Sequence, residues 1–141
     1  MFPLAYVAGI LDGEGSISIR NQAPHHNFQI RIVVVNTFLP LLKNLQEQFA
    51  GSIYQRKPIG LSKKECYEWV STGNQAEGIL KQLLPYLLIK RKQAELAIFA
   101  WANRQAAPRK KRREPVPKPI LDFRAASYAQ MKQLNGRYTG G

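Results

Sequence analysis

Two acidic residues near the start of the chain are close enough in sequence to form a cation-binding site. Asp12 and Glu14 end an apolar stretch and alternate with Gly13 and Gly15. They are the only acidic residues among the first 46. The apolar stretch predicts a helix with both acids at its C-terminal end, where the macrodipole disfavours negative charge. A divalent cation or a basic group would compensate that charge, and a cation bound there could also hold a phosphate.

The helix that must carry these acids has a stripe of small residues. Ala5, Gly9 and Gly13 recur at every fourth position, so they lie on one helical face. A second helix could pack against that face almost backbone to backbone. The alternative is a buried, glycine-rich core helix followed by a turn, with both acids solvated. Because the acids lie at the end of the helix, where negative charge is disfavoured, we favour the cation site.

Composition narrows the class of partner. The chain of 141 residues has 21 Lys and Arg against 9 Asp and Glu, a net charge of +12. Such a chain is drawn to polyanions, nucleic acid first, although ribosomal and membrane-surface proteins share this charge.

The single cysteine, Cys66, excludes an internal disulfide and fits a reducing compartment. Residues 2–11 have neither the basic leader nor the cleavage site of a signal peptide, and no apolar run reaches membrane-span length. We expect an intracellular protein with access to DNA, in a bacterial or phage-infected cytoplasm or an organelle.

Hydrophobic periodicity predicts an α+β domain with the element order α-β-β-α-β-β-α-α. Alternation of apolar and polar residues predicts strands over 16–22, 28–35, 52–57 and 66–72. Helical spacing predicts a first helix that ends with the two acids, a second between Thr37 and Gly51, and two more over 74–84 and about 88–105. Two hairpins connected by helices indicate one antiparallel, saddle-shaped sheet.

Composition changes at Ala106. Residues 106–119 contain six Lys or Arg, one Glu and four Pro, which predicts an extended basic tether. Residues 120–141 then predict a short C-terminal helix over 120–135 and a frayed glycine-rich end. The apolar face of that helix is expected to contain Leu121, Ala125, Tyr128, Met131 and Leu134.

Residues 7–15, Val-Ala-Gly-Ile-Leu-Asp-Gly-Glu-Gly, resemble the motif that names the LAGLIDADG homing endonucleases. Residues 4–6 and 16–19 fit the family's surroundings as well, and the resemblance covers residues 4 to about 105. It implies a sequence-specific DNA endonuclease that acts in intron homing and makes a double-strand break by divalent-metal-dependent hydrolysis. Because the chain has one motif and a duplex has two strands, the resemblance implies a homodimer and a long, nearly palindromic site. It also implies two or three Mg²⁺ per dimer, with Ca²⁺ binding without cleavage.

The resemblance assigns roles within the catalytic site. Glu14 corresponds to the family's metal-binding Asp and is one methylene longer, while the carbonyl of Gly13 is a further ligand. Asp12 corresponds to the earlier acid of the motif and has a capping role, with metal contact as the alternative. Lys90, in a second similar segment over 84–93, corresponds to an active-site lysine, or else it is a solvated phosphate contact. Asn36 corresponds to a water-positioning residue, or else it caps the second helix. The implied dimer interface contains Ala5, Gly9, Asp12 and Gly13.

The resemblance also places the outward face of the sheet in the DNA major groove. Arg pairs with guanine and Gln with adenine on geometric grounds. The expected DNA-binding residues are Ser18, Arg20, Gln22, His25, Gln29, Arg31, Val33, Tyr54, Arg56, Lys63, Lys64 and Glu68. Each of these could instead belong to a solvated strand face. Two other functions stay open on the same scaffold, an intron-RNA maturase and a non-catalytic DNA-binding regulator.

Overall fold

The alternating segments of the sequence form one four-stranded antiparallel sheet. The structure is a computed structural model that describes residues 1–22, 27–57, 65–104 and 116–136. Its strands lie side by side in the order β1-β2-β4-β3. Their bounds are Gly15–Gln22 for β1, Asn27–Asn36 for β2, Ser52–Arg56 for β3 and Cys66–Thr72 for β4.

The helices pack on one face of this sheet and enclose the core. They are α1 (Leu4–Glu14), α2 (Leu39–Phe49), α3 (Gly73–Leu83), α4 (Arg91–Ala102) and α5 (Lys118–Gly136), with a 3₁₀ turn over Leu84–Tyr86. Alternate strand residues, such as Ile17, Ile30 and Ile32, are fully buried beneath them. The architecture is the predicted α+β class, and the element order is confirmed.

The end of α1 is tightly packed because Gly15 has no side chain. Its backbone N–H donates to the carbonyl of Leu11, and its φ of −98° is ordinary extended backbone. A Cβ atom at Gly15 would collide with the Leu11 side chain and lie 3.0 Å from the Leu11 Cα. Glycine is required here by close approach, and not by a left-handed turn. Gly13 is still helical and has open space around it.

The start of α4 differs from the prediction. The helix begins at Arg91 instead of near Leu88, because residues 88–90 form a turn whose backbone is bound to α1. Pro85 lies in the 3₁₀ turn just before it. The interruption therefore spans the whole segment from residue 84 to residue 90.

The C-terminal helix is part of the packed domain. Phe123 of α5 makes an edge contact with Phe99 of α4, and Asn135 donates a 3.0 Å hydrogen bond to the Ile17 carbonyl of β1. Of the residues predicted for its apolar face, Met131 is fully buried, Leu121 and Leu134 are half-buried, and Ala125 and Tyr128 are exposed. The residues that are buried are Ile120, Arg124, Ser127 and Met131. Arg124 is accommodated because it donates to the Arg104 carbonyl at 3.2 Å and lies over the Phe28 ring. Residues 106–115, most of the predicted tether, lie outside the described residues, and α5 begins at Lys118, two residues before the predicted start.

Candidate active site and nucleic-acid interface

The two acids at the end of α1 point in different directions. Residues two apart on a helix are separated by about 200° around its axis. Glu14 faces the end of β2, whereas Asp12 faces the turn before α4. The predicted pair therefore forms two separate sites in one helical turn.

Glu14 is exposed and is held by Asn36. The Asn36 side-chain amide donates to one oxygen of the Glu14 carboxylate. The amide oxygen of Asn36 accepts a 2.8 Å hydrogen bond from the backbone N–H of Phe38, which precedes α2. Asn36 thus forms a turn before the helix, and the N-cap position itself belongs to Phe38 without a side-chain cap. These two bonds fix the orientation of the Asn36 amide and place it against Glu14.

Asp12 is bound on all its oxygen atoms to the turn before α4. Its two carboxylate oxygens accept the backbone N–H groups of Leu88 and Lys90, each at 2.9 Å. Its backbone carbonyl accepts a 2.7 Å hydrogen bond from the Lys90 ammonium. The structure therefore brings the two distant segments together, with Asp12 joining Lys90 to the end of α1.

Lys90 is the basic group that the end of α1 requires. Its ammonium lies at the negative end of the α1 dipole, where a cation is stabilised. Partial burial lowers the pKa of the Lys90 amine below its usual value, and the charge of Asp12 opposes that shift. The amine is thus a partly desolvated donor at the site.

The donors around Glu14 fit a hard divalent cation. Only one Glu14 oxygen is held by Asn36, and carbonyls in the last turn of a helix, such as that of Gly13, lack intrahelical partners. No group of three or more His, Cys, Asp or Glu residues is arranged for metal binding in the described part of the chain. Mg²⁺ does not need such a cage, because it keeps several waters and often uses one carboxylate together with substrate phosphates.

An open groove of about 880 Å³ runs along the outer face of α1. Its walls include Tyr6 and Phe38, which are 53% and 64% exposed. Ala5, Gly9 and Gly13 lie in the groove, whereas Val7, Ala8 and Leu11 are the buried residues of α1. The alternative of a glycine stripe buried in the core is therefore wrong. The small-residue face is solvent-exposed and accessible to another helix.

The outward face of the sheet forms a second concave surface, of about 400 Å³. The lining residues are Arg20, Gln29, Arg31, Tyr54, Glu68, Val70 and Thr72. In the strand register, Arg20 is opposite Gln29, and Tyr54 is opposite Glu68. Arg56 and Glu68 form an ion pair at 3.1 Å. Val70 and Thr72 were not predicted for this face, although they alternate with Glu68 along β4 and so lie on the same side of the strand.

The structure describes only some of the remaining predicted DNA-binding residues. Ser18 is opposite Arg31, and Val33 is opposite Val70, so both lie on the outward face. Gln22 ends β1. His25, Lys63 and Lys64 lie outside the described residues.

Solved structures share this fold. I-CvuI, a homing endonuclease crystallised with an I-CreI target in the presence of Mg, matches with a TM-score of 0.72 and 22% identity, covering 98% of this chain and 82% of that chain. The archaeal intron-encoded homing endonuclease I-Vdi141I, complexed with DNA, matches with a TM-score of 0.72 and 13% identity, covering 93% of this chain and 82% of that one. The LAGLIDADG meganuclease I-AabMI, bound to uncleaved DNA, matches with a TM-score of 0.69 and 18% identity, covering 92% of this chain and 45% of the meganuclease.

The chain therefore has the fold of the LAGLIDADG homing endonucleases. It corresponds to nearly half of the meganuclease and to most of the first two chains. No protein-family model and no curated protein matches the sequence. In the described ranges, no helix is both long enough and apolar enough to cross a membrane.

Proposed function

We propose that this protein is a homodimeric, Mg²⁺-dependent, sequence-specific DNA endonuclease of the LAGLIDADG type. One observation carries the proposal. An exposed carboxylate, Glu14, is held by Asn36 at the end of a helix whose small-residue face is open. The fold supports it, because I-CvuI and I-Vdi141I are homing endonucleases with that fold and were solved with DNA.

The open face of α1 would bind the same face of a second copy. A Cβ atom added at Gly9 or Gly13 would have no atom of the described residues within 4 Å, so among those residues nothing fills the space where a partner would pack. A two-fold axis between the paired helices would bring the two Glu14 residues together, one for each DNA strand. Ala5, Gly9 and Gly13 would form the contact. Asp12, at the edge of that face, is bound to its own chain.

The residues at the site divide the chemical work. Glu14 and the Gly13 carbonyl would hold Mg²⁺, which when bound lowers the pKa of a coordinated water and neutralises phosphate charge. Asn36 holds the Glu14 carboxylate in one orientation. Lys90 supplies a positive charge for the phosphate at which negative charge develops. Such charges act strongly because they are positioned before the reaction begins.

The sheet face would read the DNA sequence. Arg20 and Arg31 would pair with guanine and Gln29 with adenine, because all three line the outward surface of β1 and β2. The ion pair with Glu68 would orient Arg56 toward one base or phosphate. The basic residues 109–113, outside the described part, would bind phosphates without reading bases.

Cleavage of a randomised duplex library tests this function. The wild-type protein is incubated with the library in Mg²⁺, and in Ca²⁺ as a control, and all new ends are sequenced. We expect breaks only in Mg²⁺, in both strands of a nearly palindromic site, with short 3′ overhangs. DNA binding without cleavage in Mg²⁺ would favour a regulator. Selective binding of structured RNA without DNA cleavage would favour a maturase.

A further inference from the structure

We propose that Asp12 is a positioning residue for Lys90 and not a metal ligand. This inference rests on the proposed function, because the site that it positions is the one that would cleave DNA. Its basis is the set of contacts between the end of α1 and residues 88–90, which lie more than 70 positions away along the chain.

The carboxylate of Asp12 is committed to backbone amides. One oxygen accepts the N–H of Leu88 and the other accepts the N–H of Lys90, both at 2.9 Å. Hydrogen bonds from amides to a charged acceptor are among the stronger ones in proteins. The turn between the 3₁₀ segment and α4 is thereby held at the end of α1. Asp12 therefore faces this turn, on the other side of the helix end from Glu14, and is not directed at a cation that Glu14 would hold.

The Lys90 side chain is held by the same residue as its backbone. Its ammonium donates to the Asp12 carbonyl at 2.7 Å, while its N–H donates to the Asp12 carboxylate. The Asp12 carbonyl is part of the peptide bond between Asp12 and Gly13. Glu14 is the next residue, and each Cα atom is only about 3.8 Å from the one before it. Lys90 is therefore fixed beside the backbone that leads directly to Glu14.

This role requires a carboxylate. Asparagine has the same shape, but its amide has one acceptor oxygen and an NH₂ group that cannot accept a hydrogen bond. One of the two N–H groups would then face a donor, and the turn that carries Lys90 would shift. Asp12→Asn is thus the smallest change that tests the proposal. Asp122→Asn, at the only other aspartate in the chain and exposed on α5, is the matched control.

The first experiment separates catalysis from binding on the duplex found in the library. We expect Asp12→Asn to slow single-turnover cleavage at saturating DNA by about 10- to 100-fold, the range for loss of a supporting partner. Its Kd for DNA in Ca²⁺ should stay within about twofold of wild type, and Asp122→Asn should behave as wild type. In a Lys90→Met background, Asp12→Asn should add less than about a twofold further loss, because the two residues act as one unit.

A second pair of variants tests the same contact from the other side. Leu88→Pro removes the N–H that donates to Asp12, and Leu87 already has the φ of −78° and ψ of 135° that suit a residue before proline. Leu88→Ala shortens an exposed side chain and keeps the N–H. We expect about a tenfold slower cleavage for Leu88→Pro and little change for Leu88→Ala. These variants decide the question if Asp12→Asn fails to fold.

A third measurement does not depend on cleavage. NMR detection of the Lys90 ammonium protons should show a slowly exchanging, hydrogen-bonded group in wild type that is lost in Asp12→Asn. Asp12→Asn that cleaves at the wild-type rate, or a loss that is additive with Lys90→Met, would overturn the proposal. An unchanged ammonium signal in Asp12→Asn would do so too. If the wild-type protein cuts no duplex, the proposed function fails, and the ammonium signal still tests the positioning.

Discussion

The last turn of α1 has a carboxylate on each side, and the two differ in burial and in hydrogen bonding. Asp12 is half-buried and both its oxygens accept amide hydrogen bonds, with a lysine on its carbonyl. Glu14 is exposed, and one of its oxygens accepts one bond, from Asn36. The difference lies in what each carboxylate faces. Asp12 is directed at backbone donors of its own chain, whereas Glu14 is directed at the open groove along α1, where a cation can approach it.

The negative charges of Asp12 and Glu14 are also compensated in different ways. Negative charge at a helix C-terminus is unfavourable unless it is compensated. On the Asp12 side the compensation comes from within the chain, through Lys90 and two N–H groups. On the Glu14 side the partner in the described structure is a neutral amide, so under the proposed function a cation supplied from solution would complete the site. We infer that one acid organises the site and the other binds the metal.

The largest effect is expected for Glu14→Gln. Glutamine keeps the size and the bond to Asn36 but removes the charged ligand, so cleavage in Mg²⁺ should fall by about 1,000-fold, since a bound metal contributes several kcal/mol to transition-state stabilisation. Because Glu14 is exposed, its replacement should change the free energy of unfolding by less than about 0.5 kcal/mol. Rate measurements and thermal unfolding test the two statements. Comparable cleavage by Glu14→Gln would show that the site is misassigned.

Gly9→Leu tests the face that would bring two Glu14 residues together. None of the described residues has an atom within 4 Å of a Cβ atom at Gly9, so leucine has room in the monomer and should stabilise its helix by up to about 0.8 kcal/mol. In a dimer the same leucine overfills the contact twice by symmetry. We expect the dimer dissociation constant to rise by at least about 100-fold in sedimentation experiments.

Gly136→Ala is a suitable control, because Gly136 also has open space but lies at the end of α5. A Gly9→Leu protein that stays dimeric would refute the packing of α1 against α1.

The smallest effect is expected for Asn36→Ala. Glu14 would keep its charge but lose the donor that orients it, so cleavage should slow by about tenfold while metal dependence persists. Asn103→Ala, an equal truncation at an exposed residue after α4, serves as the control. Single-turnover rates across a Mg²⁺ titration measure both. A loss as large as that of Glu14→Gln would mean that Asn36 has a more direct part in the chemistry.

Hydrophobic periodicity along the sequence was enough to predict the strands, most of the helices and the outward face of the sheet. The alternation in β1 and β2 placed Arg20 and Arg31 on the outward face, because side chains alternate strictly along a strand. The helix ending at Glu14 and the order of elements followed from periodicity in the same way. Lys90 and Asn36 were found by resemblance to a family, and the structure brings Asn36 to Glu14 and Lys90 to Asp12.

Contacts between residues far apart in the chain could not be predicted from the sequence. No local signal shows that the amides of Leu88 and Lys90 bind a carboxylate on α1, and this contact is what delays the start of α4. The buried face of α5 was also missed, because Arg124 looks like a surface residue until its partners, the Arg104 carbonyl and the Phe28 ring, are known. Polar residues are buried where partners exist, and partners come from tertiary structure.

Metal binding by variants on each side of the last turn of α1 tests whether Glu14, and not Asp12, holds the metal. Mn²⁺ binding to the protein–DNA complex is followed by electron paramagnetic resonance for wild type, Asp12→Asn and Glu14→Gln, on the duplex selected from the library. We expect wild type and Asp12→Asn to bind Mn²⁺ with similar affinity, and Glu14→Gln to lose at least about 10-fold in affinity. Retention of Mn²⁺ by Glu14→Gln together with its loss in Asp12→Asn would contradict the account, because the metal would then belong to the Asp12 side.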